Sequence, residues 1–106
     1  MYNLSMAKNK VPKELQGVLW SIGVDKLDTK KNAPYIVNQV LAYGTMEHLK
    51  WLIKTYSIEK IKEVFKKSPS KVYTQAGFDW VTSILLQESQ KPDERKYVET
   101  FPRYIG

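Results

Sequence analysis

Three pieces of helix punctuation constrain this chain more than anything else in it: Gly44-Thr45, Tyr56-Ser57 and Ser68-Pro69. Glycine can take the left-handed conformation that closes a helix, so Gly44 reads as a stop. Thr45 and Ser57 can accept from the unpaired amides that open the helix after them. Pro69 disfavours helical geometry at Ser68. The middle third is thereby cut into short segments, each with its apolar residues on one helical face.

Ile36, Val37, Val40 and Leu41 form a stripe that Asn32 can cap and Pro34 can open. Thr45 to Tyr56 carries Met46, Leu49, Leu52, Ile53 and Tyr56 on one side, with Trp51 beside them. Ser57 to Lys67 carries Ile58, Ile61, Val64 and Phe65, and Glu63 to Lys67 is a favourable i to i+4 pair. Upstream, Pro12 suits a first helical position, and a helix over 12–19 would turn Leu15, Val18 and Leu19 to one side. The polar stretch 21–31 is anchored by Val24 and Leu27. Downstream, a segment over 74–88 aligns Phe78, Val81, Ile84 and Leu85, with Gly77 weakening its first turn. Trp20, Trp51 and Trp80 each follow or flank a stripe, the usual place for a core or boundary aromatic. No segment alternates in the manner of a strand.

These signals predict an all-α, single-domain bundle of about five short helices with an aromatic C-terminal tail. Residues 1–11 read as a flexible N-terminal tail, 12–89 as the helical domain and 90–106 as a polar and aromatic tail. The expected core is Leu15, Leu19, Ile36, Val40, Leu41, Leu49, Leu52, Ile53, Ile61, Val64, Phe65, Val81, Ile84 and Leu85.

Chemistry is harder to place. The sequence has no cysteine, which removes disulfides, thiolate metal sites and thiol nucleophiles. His48 is the single histidine, and a surface or boundary role suits it better than a metal site. Asp25 and Asp28 are i, i+3 neighbours that could form a carboxylate pair, although capping a turn explains them more simply. There is no Gly-rich phosphate loop, nucleophile elbow or metal-binding helix motif. We therefore expect no enzyme activity, no cofactor and no metal. No apolar run approaches the roughly 20 residues of a membrane helix, and residues 1–10 lack the apolar stretch of a signal peptide. Together these suggest a cytoplasmic protein that engages no membrane.

Two interaction surfaces can be read instead. Tyr97, Phe101, Tyr104 and Ile105 join no stripe, so they read as anchors for a protein partner or as a strap over the core. The net charge of +6 is uneven: residues 1–31 and 32–68 each carry six lysines against three acids, whereas 69–106 is neutral. Lys60, Lys62, Lys66 and Lys67 could then touch nucleic-acid phosphates if 45–67 were a helix-turn-helix. Against that reading, the turn is tight and the second helix offers no Arg, Asn or Gln to base edges.

The order VPKELQGVLW, VDKLD, YIVNQVLAYGTMEHLKWLIKTYSIEKIKEVFKKS and WVTSILL resembles a small prokaryotic all-helical family of unknown function. Its members are often encoded beside nucleotidyltransferase toxins of the abortive-infection type. The likeness covers about residues 12–86 and is densest over 40–68, at Gly44, Trp51, Leu52, Tyr56, Lys62 and Ser68. Where such relatives carry a Phe-Trp pair in the last helix, Asp79 here separates Phe78 from Trp80. The resemblance implies an antitoxin-like or accessory partner of a toxin enzyme, homo-oligomeric state undefined, and supplies no catalytic residues. A small basic DNA-binding regulator is the alternative.

Overall fold

The computed structural model describes residues 10–99. Three α-helices build it, α1 (Ala33–Tyr43), α2 (Met46–Lys67) and α3 (Gln75–Trp80), with short 3-10 turns before them at Lys13–Gly17 and Val24–Lys26 and after them at Glu94–Lys96. Among the described residues there is no strand, only one isolated parallel bridge between Tyr73 and Val98. The helical class agrees with the sequence reading, but three helices replace the expected five or so.

The first expected helix is a 3-10 helix. Leu15 is its buried residue; Val18 and Leu19 are buried just past its end, and Trp20 stays outside at 57% exposure. α1 forms as predicted, though Asn32 does not cap it: the Asn32 Oδ1 accepts from the Asp28 amide at 2.9 Å. Gly44 corrects the expected left-handed stop. Its φ of −75° and ψ of 158° are extended. Glycine is needed for space instead, because a Cβ there would lie 2.6 Å from the Val40 carbonyl oxygen and 3.0 Å from the Cβ of His48.

Thr45 caps α2 through a capping box. Its hydroxyl accepts from the His48 amide at 3.4 Å, and its own amide donates to His48 Nδ1 at 3.1 Å. The predicted break at Tyr56-Ser57 is real, although helical hydrogen bonding resumes at once: Ser57 sits at φ 73°, ψ 158°, a kink inside α2. Its hydroxyl accepts from the Lys60 amide at 3.3 Å and restarts the helix.

The fifth predicted segment is shorter than expected. α3 is capped by Thr74, whose hydroxyl accepts from the Gly77 amide at 3.0 Å, and it then widens into a π-helical turn over Val81–Leu85. The Leu86 amide donates to the Val81 carbonyl at 2.8 Å, five residues back. The extra residue in that turn rotates the stripe: Thr82 and Leu86 enter the core, Leu85 is half-buried, and Ile84 points outward at 60% exposure. Ile53, also expected inside, is half-buried; the other expected core residues are buried.

The core lies between α1 and α2 and is closed by residues 73–98. Phe65 is its hub, with ring centroids 5.7 Å from Tyr73, 6.4 Å from Phe78 and 4.5 Å from Tyr97. Each buried phenol finds an acceptor: Tyr73 donates to Asn38 Oδ1 at 2.7 Å, and Tyr97 donates to the Phe65 carbonyl at 2.6 Å. Asn38 in turn donates to the Pro34 and Ser68 carbonyls at 2.9 and 3.0 Å, tying α1 to the end of α2. Backbone bonds on both sides of Tyr73 hold the C-terminal segment, since its amide donates to the Tyr97 carbonyl at 3.0 Å and its carbonyl accepts from Glu99 at 2.9 Å.

Candidate functional site

Tyr97 was the first of the expected partner anchors, and it is placed in the core instead. It is 1% exposed, ringed by Phe65, Tyr73 and Phe78, with its hydroxyl bonded. Burial, with the nearby Glu88 charge, pushes its phenol above the usual value. Spacing along the chain gave no sign of this, because Tyr97 belongs to no helical stripe and is fixed by a backbone bridge to Tyr73. Phe101, Tyr104 and Ile105 lie outside the described residues.

The four lysines proposed for nucleic acid do not form a free cationic row. Glu63 is shared by Lys60 (3.5 Å) and Lys67 (3.2 Å), and those two lysines hold its carboxyl below the ordinary value. Lys66 reaches Glu88 at 3.0 Å, where the carboxylate side chain is only 7% exposed. Lys62 has no carboxylate within ion-pair distance among the described residues. Ser57, at φ 73° and ψ 158°, is the non-helical residue at which two helical stretches of α2 meet.

The polar residues singled out from the sequence serve the backbone. Asp28 Oδ1 accepts from the Lys30 and Lys31 amides at 2.7 and 3.0 Å, and those amides hold its carboxyl below the usual range. His48 completes the α2 capping box, which fixes Nδ1 as the acceptor. Its neighbours around a shallow hollow of about 260 Å³ are Pro12, Glu14, Leu15, Glu47 and Trp51. No group of three or more His, Asp or Glu side chains among the described residues could hold a metal ion.

Two larger clefts exist. One, of about 620 Å³, runs between Thr29–Pro34 and the α2 kink, with Lys30 and Lys60 beside Ala33, Tyr56 and Val64. Tyr56 closes its wall by donating to the Thr29 carbonyl at 2.6 Å. The other, of about 650 Å³, is lined by Lys10, Val11, Lys13, Gln16, Val24 and Asp25. Gln16 is committed there, accepting from the Val24 amide at 2.9 Å and donating to the Leu19 carbonyl at 2.7 Å.

What stands out is apolar. At the C-terminal end of α1, Trp20 packs edge-on against Tyr43 with centroids 4.9 Å apart. Tyr43 is 41% exposed, and Met46, just across the Gly44-Thr45 turn, is 64% exposed. The Glu99 carboxylate lies close enough for its charge to add to the burial that raises the Tyr43 phenol. A second exposed pair, Trp80 and Ile84, faces out where α3 passes into the π turn. Large apolar side chains grouped on a surface mark contact sites more often than isolated ones do. The expected core or boundary placement fails for Trp20, which is exposed; Trp80, at 38% exposure, lies at the boundary, and Trp51 is half-buried, its ring 6.4 Å from that of Tyr56.

These observations define a small helical domain whose charged surface is interrupted by exposed aromatic and aliphatic side chains. Residues 15–65, just under half of the chain, match a family of unknown function, DUF6922. No curated protein and no solved structure matches the chain. The family match covers α1 and nearly all of α2, and it includes Trp20, Tyr43 and Met46. No helix among the described residues is long and apolar enough to cross a membrane.

Proposed function

We propose that this protein is a non-enzymatic interaction module that grips a protein partner through the Trp20–Tyr43–Met46 face. The observation that carries the reading is that face itself: two aromatic rings in edge contact and a methionine, all exposed at one end of α1. Tryptophan and tyrosine are the residues most enriched where binding energy concentrates, and methionine adapts to irregular partner surfaces. The specific form we favour is an antitoxin-like accessory partner of a nucleotidyltransferase toxin, which the resemblance described above suggests. Phe101, Tyr104 and Ile105 would then add contacts beyond the face.

Co-expression with the product of the neighbouring gene, followed by titration calorimetry of the purified pair, tests this. A stoichiometric complex is expected, and Trp20→Ala should weaken it by at least about 2 kcal/mol, roughly thirtyfold in Kd. An unchanged Kd for Trp20→Ala, Tyr43→Ala and Met46→Ala would remove the face from the interaction. If the protein alone instead bound duplex DNA with a steep salt dependence, the regulator reading would replace this one.

A further inference from the structure

The cleft between Thr29–Pro34 and α2 carries chemistry that the partner face does not use. It holds about 620 Å³, within the range of cavities that take small molecules. Its apolar lining is the buried Ala33 and Val64, with Pro34 and the ring of Tyr56 beside them. The Tyr56 hydroxyl is committed to the Thr29 carbonyl, so Tyr56 offers the cleft its ring and not a donor. One wall is built from both sides of Ser57, with Thr55 and Tyr56 before the kink and Lys60 and Val64 after it. Each wall contributes one exposed cation, Lys30 from the first and Lys60 from α2. Among the described residues Lys30 has no carboxylate within ion-pair distance, and Lys60 has only Glu63, at 3.5 Å. Glu63 makes its shorter ion pair with Lys67, at 3.2 Å. Asp28, one residue before the cleft, spends its Oδ1 on the Lys30 and Lys31 amides. Positive charge at the cleft is therefore only partly met from within the chain.

The geometry points to this cleft as a binding site for a small molecule with one anionic head, a phosphate or a carboxylate, and a short apolar body. The head lies between Lys30 and Lys60, and the body lies against Ala33, Pro34, Tyr56 and Val64. Burial of the body supplies affinity, and the two lysines select the sign of the head. The cleft stands at the start of α1, whereas Tyr43 ends that helix, about 15 Å of axial rise away. The site is thus separate from the Trp20–Tyr43–Met46 face and does not rest on the partner reading.

Octyl phosphate and octanoate are the probes, with octyltrimethylammonium and inorganic phosphate as controls. Each is titrated into the full chain below its micelle-forming concentration and followed by methyl and amide NMR. Saturable shifts are expected at the Ala33, Thr55 and Val64 methyls with both octyl anions, while the Met46 methyl stays unmoved. The tighter of the two names the head group, and either order supports the site. Inorganic phosphate should bind at least about tenfold more weakly, because it has no body to bury. Lys30→Gln combined with Lys60→Gln should raise Kd for the octyl anions at least about tenfold. Both side chains are exposed, so the Leu52 methyl in the core should keep its position in that variant. The comparison of head groups reads the charge preference without any variant. Four results would each overturn the assignment: no saturable shift in the cleft with either octyl anion, equal binding of octyltrimethylammonium there, inorganic phosphate matching octyl phosphate, or unchanged binding by the double-lysine variant.

Discussion

Ser57 holds the most unusual backbone in the described chain. At φ 73° and ψ 158° it occupies a region that is essentially reserved for glycine and costs another residue about 1–3 kcal/mol. Its hydroxyl recovers part of that by capping Lys60. Ser57→Gly should relieve the strain while losing only a few tenths of a kcal/mol of capping and about 0.5–1 kcal/mol of chain entropy. Urea denaturation should show a net gain of about 1 kcal/mol; a loss would mean that the kink is held by its hydroxyl and not opposed by its Cβ. Gly44→Ala should behave in the opposite way. No left-handed angle is at stake, but the new methyl meets the Val40 carbonyl, and overpacking of that kind costs about 1–3 kcal/mol. Both residues were legible as punctuation, yet their roles were exchanged: the serine takes the glycine-like conformation and the glycine takes an ordinary one.

The helices divide into those the sequence announces and those that tertiary packing reshapes. α1 and α2 were legible because their stripes, Ile36-Val37-Val40-Leu41 and Leu49-Leu52-Ile61-Val64-Phe65, are long and dense. The Lys13–Gly17 segment winds as 3-10 and not α-helix, and a segment of this length carries too few positions to separate a period of 3.0 from 3.6. The same applies to the π turn at Val81–Leu85, where one additional residue moves Ile84 from the core to solvent and Leu86 the other way. Paired alanine substitutions read this register. Leu86→Ala should cost about 2–5 kcal/mol and Ile84→Ala no more than about 0.5 kcal/mol in chemical denaturation. The reverse order would restore the regular helix through residue 88.

Across the whole molecule, the aromatic residues separate into a buried cluster and an exposed face. Phe65, Tyr73, Phe78 and Tyr97 hold the C-terminal segment against α2, and this was not legible because it depends on one bridge between residues 25 apart in sequence, Tyr73 and Val98. Exposed carboxylates add a pH signature. Asp28 is held below its ordinary value chiefly by the amides of Lys31 and Lys30, Asp79 by Lys91, and Asp93 by Arg95. Depressed folded values mean that their contribution is fully present above the unfolded value, near pH 4, and is lost as pH falls through the folded ones. The urea midpoint should therefore be level between about pH 5 and 7 and decline below about pH 4. A midpoint that rises on acidification would contradict these assignments.

Trp20→Ala offers the most direct measurement. If the residue serves a partner and not the core, unfolding free energy should stay within about 1 kcal/mol of the unsubstituted protein while partner affinity falls at least about thirtyfold. A loss of about 3–5 kcal/mol in folding stability, the usual cost of truncating a buried tryptophan, with affinity unchanged, would contradict the account.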